Sequence, residues 1–127
     1  MGKKILIVDD HPLILDLMKH IFDGLLASDV ELLMARDGKE GLRLALESNP
    51  DLAFLDITIP YLDGFEVCQR IKAAGGETYV ILLAGLELQE EQSLAAGADD
   101  WITKPFYPRQ ILEKAAAVLG LDVADSH

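Results

Sequence analysis

The sequence predicts an α/β fold in which a doubly wound sheet of five parallel strands lies between two layers of helices. First, five short apolar runs alternate with five helix-like segments along the 127 residues. Second, the connections are short, and such alternation favours parallel pairing through right-handed crossovers. Third, the apolar runs are continuous, as in strands that are covered on both faces. Together these observations predict a (βα)5 three-layer sandwich.

The first strand is predicted at Ile5–Val8, where three of four residues are β-branched, and it ends at Asp9 and Asp10. Pro12 occupies a favourable first position for a helix because its missing N–H has no helical partner. Apolar residues then recur at helical spacing, which predicts an amphipathic helix that closes over residues 24–28. The predicted inward stripe is Ile14, Leu17, Met18, Ile21, Phe22 and Leu25.

The second strand is predicted at Val30–Ala35, followed by an Asp37 N-cap and a helix from Gly38 to about Ser48. The residues of this helix that we expect to face inward are Leu42, Ala45 and Leu46. The third strand, Leu52–Leu55, runs into Asp56. Asp63 then caps a helix from about Gly64 to Ala74, whose expected inward residues are Val67, Cys68 and Ile71.

The last two units are shorter. A fourth strand is predicted at Tyr79–Leu83, a short helix near Glu90–Ala96 and a fifth strand at Trp101–Thr103. Pro108 opens a final helix with an apolar stripe. Residues 121–127 lack periodicity and are predicted to be a tail or the start of a linker, which leaves one domain over residues 1–120. The predicted stripe of the final helix is Ile111, Leu112, Ala115, Val118 and Leu119.

The composition of the chain argues against nucleic-acid binding, an internal disulfide and a membrane-spanning segment. The formal net charge of −11 disfavours direct contact with nucleic acid, because an acidic surface repels phosphates. Cys68 is the only cysteine, so no internal disulfide can form and a reducing compartment fits. No apolar run approaches membrane-spanning length. We therefore expect a soluble, cytoplasmic protein without membrane contact.

Four charged residues follow predicted strands: Asp9 and Asp10 follow the first, Asp56 the third and Lys104 the fifth. The carboxyl ends of parallel strands meet at one edge of a sheet, where ligands bind in open α/β folds. Three carboxylates so close would repel one another unless they held protons or a cation. Mg²⁺ prefers oxygen ligands and is usually bound by one or two carboxylates together with water and a substrate phosphate, so it would fit such a site.

The negative charge at this edge of the sheet argues against a nucleotide-binding site. Flavodoxin-like nucleotide binders share the strand–helix alternation, but they hold phosphate with the backbone N–H groups of a Gly-, Ser- or Thr-rich loop. The first loop here carries Asp9, Asp10 and Pro12, and it would repel an anion unless a metal intervened. With Mg²⁺ bound, Asp56 is predicted to be a nucleophile that forms an acyl phosphate, and Lys104 to contact a phosphoryl oxygen.

Three segments at the expected strand ends, residues 9–10, 56–64 and 97–106, resemble the receiver domain of two-component response regulators. The resemblance covers roughly residues 3–120. It implies Mg²⁺ bound by the side chains of Asp10 and Asp56 and the carbonyl of Thr58, with Asp9 acting through water. It also implies a cis peptide bond at Lys104–Pro105.

The resemblance further implies that a sensor histidine kinase or phosphotransfer protein passes a phosphoryl group to Asp56. Such a domain catalyses only its own phosphorylation and dephosphorylation. A homodimer, output domain or output protein would use the fourth helix, the fifth strand and the fifth helix.

Two positions depart from the family pattern. Ala84 stands at the end of the fourth strand, where a receiver normally has a Ser or Thr whose hydroxyl bonds the phosphoryl oxygen. Trp101 stands at the aromatic switch position. These departures leave open an interaction module whose output does not depend on phosphorylation. A third alternative is a phosphohydrolase of the haloacid-dehalogenase kind, which needs a second acid where this chain has Thr58.

Overall fold

Five strands alternate with five helices in the computed structural model, which describes residues 2–26, 29–85 and 90–121. Every predicted element is present, with bounds close to those expected from the sequence. The first helix continues through Gly24 to Leu26. The strands are β1 Lys3–Val8, β2 Val30–Ala35, β3 Leu52–Asp56, β4 Tyr79–Ala84 and β5 Asp100–Thr103, and the helices are α1 Pro12–Leu26, α2 Gly38–Ser48, α3 Gly64–Ala73, α4 Glu90–Ala95 and α5 Pro108–Leu119.

All pairings in the sheet are parallel, and the strand order is β2-β1-β3-β4-β5. The predicted doubly wound sheet is therefore confirmed. The central strand β3 lies between β1 and β4. Val8 pairs with Leu55, so the next residues on these two strands, Asp9 and Asp56, arrive at the sheet edge at the same level.

The core has one half on each face of the sheet, as a three-layer sandwich requires. On one face α1 and α5 cover β1, β3 and β4, and the rings of Phe22 and Phe54 lie 5.9 Å apart between centroids. On the other face α2 and α3 pack against the alternate residues of the same strands, together with Ala96, which follows α4. Fully buried residues of this second half include Leu6, Val8, Leu55, Val67, Cys68 and Leu82.

Helix α2 buries small residues, and the predicted inward position of Leu46 is wrong. Its side chain is 54% exposed. The buried residues of this helix are instead Gly38, Gly41 and Ala45. A Cβ added to Gly41 would lie 2.7 Å from Cγ2 of Val8, so the helix backbone approaches the sheet too closely for a leucine stripe. The prediction counted apolar side chains and overlooked the glycines that form the contact.

The predicted helix starts are confirmed at α2 and α3. Asp37 accepts a hydrogen bond from the N–H of Glu40, and Asp63 accepts one from the N–H of Glu66. By contrast, Tyr107 precedes α5 without a side-chain cap. The described part of helix α4 is Glu90–Ala95, and the helix ends before Gly97, whose φ is +84°.

Leu121 packs against the core and donates its N–H to the carbonyl of Ala116. The remainder of the predicted tail, residues 122–127, lies outside the described residues, so the domain boundary stays a prediction. Within the part of the chain that the structure describes, no helix has the length and apolar character needed to cross a membrane.

The buried Cys68 thiol should make the stability of the protein depend on pH in the alkaline range. Its Sγ donates to the carbonyl of Ala96 at 3.4 Å, and burial raises the pKa of the thiol from 9.0 to about 11. The neutral thiol therefore contributes stability that is present below pH 9.0 and is lost as pH rises towards about 11. We expect this loss to reach about 2 kcal/mol.

The measurement is urea unfolding across this pH range for the wild-type protein and for Cys68→Ala. The change in pH also acts on other parts of the protein, but it does so in both proteins, so their comparison isolates Cys68. The free energy of unfolding of the wild type should therefore fall more steeply. Parallel pH profiles would contradict the buried, neutral thiol.

Candidate functional site

Three acidic side chains meet where β1 and β3 end. Asp9 is fully buried, Asp56 is 7% exposed and Asp10 is exposed to solvent. One carboxylate oxygen of each lies within 4.8 Å of the others. The sequence predicted this meeting, and the pairing of β1 with β3 produces it.

Local turns fix the direction of the two buried carboxylates. Oδ1 of Asp9 accepts a hydrogen bond of 2.9 Å from the N–H of His11, and Oδ1 of Asp56 accepts one of 3.0 Å from the N–H of Thr58. Both bonds join an aspartate to the backbone two residues later, a geometry that short acidic side chains favour in turns. In each carboxylate, Oδ2 therefore remains for other partners.

Lys104 supplies that partner. Its Nζ lies 3.0 Å from Oδ2 of Asp56 and 3.2 Å from Oδ2 of Asp9. The predicted cis bond at Lys104–Pro105 is present, and the N–H of Lys104 donates to the carbonyl of Ala84 at 2.6 Å. The end of β5 is thus attached to the end of β4 while the ammonium reaches across to β1 and β3.

The positive charge of Lys104 does not fully offset the cost of placing these carboxylates close together. Burial raises the pKa of Asp9, and the nearby charge of Asp56 raises it further, against the opposing effects of the His11 N–H and the Lys104 ammonium. Burial alone would lower the pKa of Lys104, but hydrogen bonds and charges from Asp56 and Asp9 raise it above its ordinary value. The Lys104 ammonium contacts two of the three carboxylic groups, Asp9 and Asp56.

The donor set fits a hard divalent cation. It consists of carboxylate oxygens, which such ions prefer, and the exposed Asp10 leaves one side open to water or a phosphate. A bound cation would also reduce the repulsion that raises the pKa of Asp9. The part assigned by resemblance to the Thr58 carbonyl stays a prediction.

Other residues of interest lie on β4, on β5 and in the loop after β1. Ala84 is buried at the end of β4, and the half-buried Trp101 packs against the same half of the core. His11 is exposed in the loop after β1, and Thr103 is exposed on the edge strand β5.

Sequence reasoning missed the glycines that hold the loop after β3. A Cβ on Gly64 would lie 2.5 Å from the carbonyl oxygen of Asp56, and one on Gly38 would lie 1.9 Å from that of Leu62. The N–H of Gly38 also donates to the carbonyl of Pro60 at 3.0 Å. In the sequence, an Asp-Gly pair stands at the start of both α2 and α3, and this repeated pair could have indicated the close contacts.

Comparison with known proteins identifies the family. The family model described as the response regulator receiver domain matches residues 5–116. The chain belongs to this family. Among solved structures, the CheY-like response regulator receiver domain protein of Methanospirillum hungatei JF-1 superimposes with a TM-score of 0.83 at 35% identity, covering 94% of this chain and 95% of that one. The beryllofluoride-activated DrrB receiver domain gives 0.80 at 32% identity, covering 94% and 99%.

Two curated relatives of the receiver domain are longer proteins. The alkaline phosphatase synthesis transcriptional regulatory protein PhoP of Bacillus subtilis (strain 168) is 37% identical over 121 residues, which cover 94% of this chain and 49% of PhoP. The DNA-binding dual master transcriptional regulator RpaA of Synechocystis sp. (strain ATCC 27184 / PCC 6803 / Kazusa) is 38% identical over 120 residues, covering 91% and 48%. The chain spans about half the length of these relatives.

Replacing Lys104 by Met should lower the free energy of unfolding at pH 7 by about 2–3 kcal/mol, because Asp9 and Asp56 lose their shared cation. Lys114→Met is the matched control. Its ammonium lies 2.5 Å from Oδ2 of Asp100, but both side chains are more exposed, so the loss should stay below about 1 kcal/mol. Equal losses in urea unfolding would contradict a special role for the Lys104 pairs in stability.

Proposed function

We propose that this receiver domain is the phosphoacceptor of a two-component response regulator and that Asp56 accepts the phosphoryl group. The observation that carries the proposal is the position of Asp56, at the end of β3, with Lys104 Nζ 3.0 Å from its Oδ2. The acidic residues Asp9 and Asp10 lie on the neighbouring strand end. A nucleophile, a cation and a candidate metal site are the parts that phosphoryl transfer requires.

In the proposed reaction, a carboxylate oxygen of Asp56 attacks the phosphorus of a phosphohistidine on a sensor kinase or phosphotransfer protein. An O–P bond forms, the P–N bond breaks, and the electron pair returns to the imidazole nitrogen. Lys104 stabilises negative charge on a phosphoryl oxygen while the N–H of Thr58 keeps the carboxylate oriented. Mg²⁺ held by Asp10, Asp56 and the Thr58 carbonyl, with Asp9 acting through water, would add positive charge at the phosphoryl oxygens.

The rim of the site offers a surface for the phosphodonor. An apolar hollow of about 440 Å³ lies beside Lys104 and is lined by Ile14, Leu17, Pro105 and Phe106. A macromolecular donor must bring its phosphohistidine to Asp56, so it must cover neighbouring surface. We propose that apolar side chains of the donor protein enter this hollow. Contacts with a second copy or an output domain through α4, β5 and α5 remain a separate proposal.

The proposed chemistry has no product beyond released phosphate, so the domain is a signalling switch and not an enzyme with an independent substrate. A haloacid-dehalogenase-type hydrolase would need a second acid two residues after the nucleophile, and that residue is Thr58. Thr58 cannot act as a general acid at neutral pH.

Ala84 favours a second candidate function, an interaction module whose output is independent of phosphorylation. Its methyl group is buried at the end of β4 and cannot donate a hydrogen bond to a phosphoryl group. Sedimentation of the protein with and without beryllofluoride, a mimic of the aspartyl phosphate, separates the candidates. A change in the monomer–dimer balance supports the switch, whereas beryllofluoride binding without any change supports the module.

Incubation with acetyl phosphate and Mg²⁺ should add one phosphoryl group to the wild-type protein, as measured by intact mass. Asp56→Asn should add none, because its amide is not a nucleophile for this transfer. Asp16→Asn, on the exposed face of α1, is the matched control and should react like the wild type. Modification of Asp56→Asn to the same extent would refute Asp56 as the acceptor.

Mg²⁺ should stabilise the folded protein, because the acidic cluster exists only when β1 and β3 are paired. At a concentration about 100 times the Kd, the free energy of unfolding should rise by about 2.7 kcal/mol. Thermal unfolding at constant ionic strength measures the effect, and Asp10→Asn should weaken it strongly. Equal stabilisation of Asp10→Asn would show that Mg²⁺ binds elsewhere.

A further inference from the structure

We propose that Lys104 and the divalent cation compete for the carboxylate of Asp56, so that binding of the cation loosens Lys104 and turns its ammonium towards the phosphoryl group. The inference rests on the cation site of the proposed function and adds a regulatory role for Lys104 at that site. Lys104 is then an internal counter-ion that a metal ion displaces before phosphoryl transfer.

Each oxygen of the two buried carboxylates has a donor within the protein. Oδ1 of Asp9 accepts the N–H of His11 at 2.9 Å. Oδ1 of Asp56 accepts the N–H of Thr58 at 3.0 Å. Both Oδ2 atoms face Nζ of Lys104, at 3.2 Å from Asp9 and 3.0 Å from Asp56. A cation that binds Asp56 must therefore approach an oxygen that already contacts a positively polarised or charged group.

The ammonium of Lys104 lies close enough to such a cation to oppose its binding. Mg²⁺ bonds oxygen at about 2.1 Å, so an ion on Oδ2 of Asp56 would lie no more than about 5 Å from Nζ while the 3.0 Å contact persisted. Charges of +2 and +1 at that distance repel by several times the thermal energy at an effective dielectric of about 20. The side chain of Lys104 is only 27% exposed, so water screens this repulsion only in part.

The same repulsion acts on Lys104 when the cation binds. Coupling between two binding events is reciprocal, so the cation weakens the Lys104 contacts by the factor by which Lys104 weakens cation binding. The backbone of Lys104 is held, because its N–H donates to the carbonyl of Ala84. Its long, flexible side chain lets the ammonium move alone. Lys104 thus holds the carboxylates together until the metal binds, and it turns to a phosphoryl oxygen only afterwards.

The experiment is a titration of the full chain with Mg²⁺ at constant ionic strength, followed by the backbone amide NMR signals of Asp10 and Thr58. Lys104→Met removes the ammonium and keeps most of the side-chain volume. Because the repulsion is lost, we expect the Kd for Mg²⁺ to fall about tenfold. Lys104→Arg retains the charge and should bind no more tightly than the wild type. An unchanged or higher Kd in Lys104→Met overturns the inference.

Lys114→Met is the matched control, since it changes the net charge of the chain by the same amount. Lys114 pairs with Asp100 on the outer part of β5 and not with the acidic cluster, so its removal should change the Kd less than twofold. A tenfold fall in this variant as well would show a general effect of charge and would overturn the inference. A wild type whose signals do not respond to Mg²⁺ would refute the proposed cation site itself, and the inference with it.

Urea unfolding gives an independent measurement of the same competition. In EDTA, Lys104→Met should be less stable than the wild type, because the two carboxylates lose their shared cation. In saturating Mg²⁺ this deficit should shrink by about 1.4 kcal/mol, which is the tenfold change in Kd converted at 25 °C. A deficit of the same size in EDTA and in Mg²⁺ would overturn the competition.

Discussion

The ammonium of Lys104 between the carboxylates of Asp9 and Asp56 is the interaction on which the rest of the site depends. Its two contacts, 3.2 and 3.0 Å, join residues from the ends of three strands. Burial of Asp9 makes its charged form costly, and the neighbouring Asp56 adds repulsion. A single cation reduces this cost without removing it. The negative charge that remains would favour a further cation in this pocket.

Close backbone packing holds Asp56 in place. Gly64 allows the start of α3 to lie against the carbonyl of Asp56, while Gly38 brings the start of α2 against the loop that follows β3. A methyl group at either position would displace backbone atoms, which cannot yield as a flexible side chain can. The loop is therefore held from two helices. This support would serve the proposed phosphoryl transfer, because positioning supplies much of the rate enhancement in such reactions.

The chain has all the charged residues of the predicted site but carries a methyl group at the end of β4. Asp56, Lys104 and the acidic pair are all present, whereas the hydroxyl normally found at the end of β4 is replaced by the methyl of Ala84. In the proposed function, acceptance of a phosphoryl group and its transmission to a partner surface would depend on different residues. Trp101 lies on β5, the strand next to β4.

The sequence alone determined the order of the elements, the two aspartate caps and the meeting of Asp9, Asp10, Asp56 and Lys104. Each of these follows from local patterns combined with the rule that parallel strands share a carboxyl edge. Tertiary structure decided the inward face of α2, where close approach to Val8 favours glycine and leaves Leu46 in solvent. It also decided the partners of each carboxylate oxygen and the pairing of Ala84 with Thr103. These features depend on distances between segments that are far apart in the chain, and local periodicity carries no information about such distances.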